Sequence, residues 1–322
     1  MSVLPFAILL ALAEPPAADQ DVRVPAPARP LFIEPVVLGR VDVVVDAPQY
    51  AASTRVDRIG RIWAPVAING HGPFRLVLAT GASHSALTPS LVARLGIRAN
   101  STDTVILHGS TGSLAVPMVP IQTLEVGELL MESRRLAVIP DALDDADGVL
   151  GVDELSGMRI HIDFRRDRIK IARSKNQRAS GSFKTIPVSF MAGQLLVVDG
   201  SMGGVPVKAI IDTGSQTTLG NAALRTALAE RRRKDMLEGK LDKVIGSTLD
   251  MQVGTRLETP ALELGPIRVR QSATTFADFE IFKHWKMTEE PAMLVGMDVI
   301  GLLDQLIIDY RRKELQVRLP RS

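Results

Sequence analysis

From residue 60 onward the chain is mostly short runs of Val, Ile and Leu, each stopped by Gly, Pro, Asn or Asp. That punctuation predicts strands joined by tight turns, and so a mostly β protein. Two of the runs end almost alike. Leu76-Val77-Leu78-Ala79 leads into Thr80-Gly81-Ala82-Ser83, and Ala209-Ile210-Ile211-Asp212 leads into Thr213-Gly214-Ser215. Upstream of them, Asn69-Gly70 and Asp199-Gly200 stand between apolar runs, and both dipeptides tolerate the positive φ of a hairpin turn. Each tripeptide is therefore expected on the return strand of a hairpin. Helical signals are few. Thr88 as N-cap, Pro89 at the first helical position and Gly96 as the stop predict a short helix. Asn221 is placed to cap a longer one that runs on into Arg231-Arg232-Arg233-Lys234.

The repetition extends well beyond the tripeptides. Asp147-Gly148-Val149-Leu150-Gly151-Val152-Asp153 answers to Ala292-Met293-Leu294-Val295-Gly296-Met297-Asp298, and His161-Ile162-Asp163-Phe164-Arg165-Arg166 answers to Ile307-Ile308-Asp309-Tyr310-Arg311-Arg312. The spacing between copies grows from 133 positions at the tripeptide to 146 at the last element. Duplicated lobes that differ by loop insertions produce this drift. The division expected is one lobe over 37–180 and a second over 181–322, each large enough for an ordinary core. Ahead of them, residues 1–13 form an apolar segment too short to span a bilayer. It ends in Ala11-Leu12-Ala13, an A-x-A pattern of the kind that precedes signal-peptidase cleavage. Residues 14–36 are rich in Pro and Ala and read as a linker. These features predict export, with a periplasmic or membrane-associated location and a possible membrane tether at the N-terminus.

An apolar strand that stops at Asp-Thr-Gly presents a carboxylate on a glycine turn, and a duplicated strand can present two across a pseudo-twofold axis. On these residues the chain resembles the retropepsin-like and pepsin-like aspartic proteases, in particular bacterial proteins with two retropepsin-type lobes in one chain. The resemblance spans about residues 60–318. It implies two pseudo-twofold-related β-barrel lobes with a few short helices, and a peptide or protein substrate hydrolysed by activated water without a cofactor. Asp212 and position 79 fall at the two catalytic acids. Thr80 and Thr213 would tie the loops together, Gly81 and Gly214 would make the turns, and Ser215 would hydrogen-bond the Asp212 carboxylate. In the first lobe Ala82 occupies the place of Ser215, with Ser83 one residue further on. The segments at Gly151 and Gly296 would pass behind the turns. Flap hairpins would carry His108-Gly109-Ser110-Thr111-Gly112 and Ile245-Gly246-Ser247-Thr248, with Leu107, Val244 and Ile245 lining aliphatic pockets. A monomer is expected, because the duplication makes internally the interface that single-lobe relatives make by dimerising.

Position 79, however, is Ala. Two adjacent carboxylates share one proton; a lone Asp212 is expected to return toward an ordinary carboxylate pKa, leaving no acid to polarise the scissile carbonyl. Loss of a general acid costs about 10²- to 10⁴-fold, so the chain as written is predicted inactive or nearly so. Two further readings stay open: a natural pseudoprotease that binds peptides or a partner without cutting, and a site rebuilt between two chains.

Other chemistries find little support. The sequence pI is near 9.0, but the formal net charge is only +2 and Glu230, Asp235 and Glu238 flank the basic run. With aromatics at 4% and none interleaved with the charges, no nucleic-acid partner is expected. The five histidines are scattered singly, which argues against a zinc site, and the absence of Cys removes disulfides and thiolate ligands. Ser83 beside His84 lacks a G-x-S-x-G elbow. Asp153, Asp298, Asp163 and Asp309 recur at matching places and read as turn or capping acids.

Overall fold

The structure is a computed structural model that describes residues 61–99, 103–141, 143, 145–153, 155–192, 194–232 and 239–320, with three short strands before them at Phe6–Ala7, Ala11–Leu12 and Val41–Val44. The rest of the apolar segment and the whole 14–36 linker lie outside the described residues.

The fold is mostly β, in two lobes. In the first, Ser113–Val126, Trp63–Ile68, His71–Leu78, Gly148–Leu150, Ala86–Leu87 and Leu129–Val138 pair in that order, and the last returns to the first to close a six-stranded barrel. The second lobe repeats the order around Leu195–Met202, Val205–Ile211 and Ala292–Val295 but stays open as a half-barrel. Alternation along the strands drives this. In Trp63–Ile68 the residues Ala64, Val66 and Ile68 are fully buried while Pro65 is exposed.

The first hairpin turns at Asn69 (φ 51°) and Gly70 (φ 75°), as the dipeptide predicts. Asn69 Oδ1 also accepts from the backbone N–H of Gln122 (2.7 Å) and Thr123 (3.1 Å), tying the turn to the neighbouring strand. The second hairpin corrects the sequence reading. Asp199-Gly200 lies inside the strand Leu195–Met202, and the chain turns four residues later at Gly203 (φ 56°) and Gly204 (φ 79°). Two consecutive glycines offer the left-handed conformation at no steric cost, so they outcompete Asp-Gly. Asp199 instead faces Lys208 across the hairpin, with Nζ donating to Oδ1 at 2.6 Å. Arg231 donates to the Gly204 carbonyl at 3.0 Å, which gives one member of the basic run a structural duty.

Both predicted helices form. In α1, Pro89–Arg94, Thr88 Oγ1 accepts from Leu91 N–H (3.3 Å) and Gly96 follows at φ 65°. In α2, Ala222–Arg232, Asn221 Oδ1 accepts from Leu224 N–H (2.8 Å). Arg233 and Lys234 lie outside the described residues. Two shorter helices, α3 at Glu280–His284 and α4 at Met297–Ile300, complete the helices among the described residues.

A five-stranded sheet joins the lobes. Met158–Asp163 of the first pairs antiparallel with Gln305–Asp309 of the second, flanked by Arg168–Arg173, Glu314–Arg318 and Lys184–Pro187. At the matching ends, Asp163 Oδ1 accepts from Arg166 N–H (3.1 Å) and Asp309 Oδ1 from Arg312 N–H (3.0 Å). The repeated Asp and Arg pairs thus belong to one turn used twice.

Candidate active site at the lobe junction

Each tripeptide sits where an outgoing strand meets a later parallel one. Ala79 N–H donates to the Leu150 carbonyl and Asp212 N–H to the Val295 carbonyl, both at 3.0 Å. The parallel pairs are Leu76–Leu78 with Gly148–Leu150, and Lys208–Ile211 with Ala292–Val295. Glycine is required just beyond, where the crossing chains nearly touch. A Cβ on Gly296 would stand 2.6 Å from the Thr217 carbonyl carbon, and one on Gly151 would run into the backbone of His84.

The two loops are locked reciprocally. Thr80 Oγ1 donates to the Ile211 carbonyl (2.7 Å) and accepts from Thr213 N–H (3.1 Å), while Thr213 Oγ1 donates to the Leu78 carbonyl (2.6 Å) and accepts from Thr80 N–H (3.2 Å). Both side chains are fully buried. Four hydrogen bonds between buried groups fix the lobes' relative position at the point where the acids belong, since breaking any of them strands a buried donor or acceptor.

Asp212 is also fully buried. Its Oδ1 accepts from Gly214 N–H (2.8 Å) and, across the junction, from Gly81 N–H (3.0 Å). Its Oδ2 has no hydrogen-bond partner among the described residues. Burial pushes the carboxyl up to about 7, with the backbone N–H groups of Gly214, Gly81 and Ser215 pulling the other way. This overturns the expected return to an ordinary carboxylate value. Removing the second acid removes one cause of a raised pKa, but desolvation acts alone and suffices. Ala79, equally buried, packs in an apolar cluster with Val77, Ala82, Ala86, Leu143 and Val149.

At Ser215 the side chain and the backbone divide the work. The hydroxyl donates to the Thr217 carbonyl at 2.8 Å, and the backbone N–H is what reaches toward Asp212. Ser83 stands partly buried on the loop beyond Gly81.

A pair of braces that sequence reading missed lies just behind. Ser85 Oγ donates to Asp153 Oδ1 (2.8 Å) and accepts from Gly151 N–H (3.1 Å). Thr218 Oγ1 donates to Asp298 Oδ1 (2.7 Å) and accepts from Gly296 N–H (3.2 Å). Burial raises both Asp carboxyls. Ser85 and Thr218 each fall six residues after positions 79 and 212, a hydroxyl repeated at one offset, and that was the available signal.

The hairpins expected to act as flaps run through Thr104–His108 and Ser113–Val126, and through Lys240–Gly246 and Met251–Thr259. Their tips touch each other, with Thr111 Oγ1 donating to the Asp250 carbonyl at 2.7 Å. Gly109 lies against Ser247 and Thr248, and Gly246 against Ser110 and Thr111. Ser110, Ser247, Thr248, Leu107 and Val244 are buried, and Ile245 and His108 partly so. The Oγ of Ser110 and the Oγ1 of Thr248 have no partner among the described residues. Along the open edges, Phe6–Ala7 pairs with Ile245–Gly246 and Ala11–Leu12 with Leu107–His108.

The family model described as aspartyl protease matches residues 64–153 and 198–299, together more than half of the chain and one stretch in each lobe. A search of curated proteins found no match.

Proposed function

Because the chain belongs to the aspartyl protease family, we propose that it is a two-lobed aspartic endopeptidase scaffold that binds an extended peptide under its flaps and, with Ala79 in place, hydrolyses it poorly or not at all. The observation that carries this reading is the setting of Asp212. Its Oδ1 is held from both lobes and its Oδ2 is left without a partner among the described residues, which suits a carboxylate meant to engage a water and a second acid. In the two-acid mechanism one carboxylate takes a proton from water while its protonated neighbour donates to the scissile carbonyl. Asp212 alone can hold one proton or none. It therefore serves as base or as acid, and not as both in the same step.

Two features favour a peptide ligand. The flap edges already pair with short strands of the chain's own N-terminal segment, the mode by which an extended peptide adds to a sheet edge. The Ser110 and Thr248 hydroxyls, without a partner among the described residues, are buried at the flap contact, so parting of the flaps would offer them to peptide amides. The second reading, a peptide-binding module with no hydrolytic role, is favoured by one observation: Ala79 is packed among apolar side chains as if no acid belonged there. Peptide cleavage by Ala79→Asp supports the first reading, and tight peptide binding without cleavage by the same variant supports the second.

A further inference from the structure

The imidazole of His108, the residue just before the first-lobe flap tip, stacks on that of His284 at the end of α3 in the other lobe. The ring centroids are 4.0 Å apart and the planes 22° from parallel. Across its own hairpin, the His108 Nδ1 lies 2.8 Å from Ser113 Oγ, so the hairpin fixes that ring. His284 follows Ile281 and Phe282, both buried in the second-lobe core, so its ring stands on a fixed support. The stack therefore ties a hairpin of one lobe to a core-packed helix of the other. Neutral imidazoles stack well, whereas two imidazolium ions at that spacing repel.

We propose that His108 and His284 are positioning residues that latch the first-lobe flap closed at neutral pH and release it on acidification. The inference rests on the reading of residues 104–113 as a flap over the site. Its physical basis lies in the charges around the pair. Burial lowers the His284 pKa, the neighbouring His108 lowers it further, and Glu280 opposes them. Lys283 is engaged with Glu280 at 3.4 Å, and Asp250 sits on the opposing flap tip, where its carbonyl accepts from Thr111. The strand Ala11–Leu12 pairs with Leu107–His108 and brings no titratable residue. The sign follows from linkage. The latched form binds the proton more weakly, so latching is fully present above the ordinary histidine value and is lost as pH falls from there through the lowered His284 value.

Amide hydrogen exchange over residues 104–113, corrected for the intrinsic pH dependence of exchange, tests this on the full chain. Each unit by which latching lowers the pKa weakens flap protection about tenfold on acidification. The flap of the unaltered chain should therefore lose protection from pH 7.5 to 5. His284→Phe keeps a ring to stack and cannot charge, so its flap should stay equally protected at both values. His284→Ala should exchange fast at both. Retention of the pH response in His284→Phe, or full protection in His284→Ala at pH 7.5, overturns the proposal. Exchange requires no catalysis, so failure here is distinct from failure of the protease reading, which peptide cleavage by Ala79→Asp decides.

Discussion

Asp212 should make the folded state less stable as the solution becomes more alkaline, and Asp212→Asn should abolish that dependence. Burial raises its folded pKa from the ordinary carboxylate value, about 3.9, to about 7. A carboxyl raised on folding binds its proton more tightly in the native state, so it favours folding at low pH and opposes it as pH climbs through the window between the two values. At pH 5 the native residue is almost wholly protonated and the unfolded one mostly ionised, an opposing contribution of about 1.5 kcal/mol. By pH 8 both are ionised and the contribution approaches its ceiling, about 4 kcal/mol. The stability of the chain relative to Asp212→Asn should thus fall by about 2.5 kcal/mol between pH 5 and pH 8. Urea unfolding of both proteins at both pH values measures the double difference, in which any constant penalty of the amide cancels. A double difference near zero would refute the argument, for it would mean that Asp212 is solvated or paired in a way that leaves its pKa ordinary.

Two further tests address the frame around this residue. Thr213→Val deletes one donated and one accepted bond of the interlobe lock and leaves the Leu78 carbonyl and Thr80 N–H buried without partners. It should cost about 2–4 kcal/mol in urea unfolding, and a loss below about 0.5 would show that the lobes do not depend on the lock. Gly296→Ala forces backbone against backbone at Thr217, and a fall of about 1–3 kcal/mol is expected. Unchanged stability would mean that the strand crossing is looser than its geometry.

The doubled strand-and-turn order was legible because each element carries its own local signal, and the two copies corroborate one another. Where two local signals competed, sequence alone could not rank them. Asp199-Gly200 and Gly203-Gly204 both encode turns, and the outcome depends on the neighbouring strand. Gly200 pairs with Leu264, and a Cβ there would stand 2.6 Å from the Glu263 carbonyl, so its glycine serves close packing between strands. The Ser215 hydroxyl shows a second kind of limit. A residue beside a carboxylate in sequence can reach it, but a nearer carbonyl, that of Thr217, captures the proton. The pKa of Asp212 was misjudged because charge partners can be counted in a sequence and desolvation cannot. The contact of His108 with His284 gives no sequence signal, since it depends on how the two lobes face each other across the flap.

The central claim is that a complete two-acid scaffold surrounds position 79 and that one carboxylate is missing from it. Ala79→Asp, incubated with an unfolded protein over pH 3–7 beside the unaltered chain and Ala79→Asp/Asp212→Asn, tests it most directly. The account predicts endoproteolysis on the acid side of neutrality, at least about 10²-fold above the unaltered chain. It should be blocked by a statine-type peptide and lost in the double variant. A folded Ala79→Asp protein that cuts no faster than the unaltered chain at any of these pH values would contradict it.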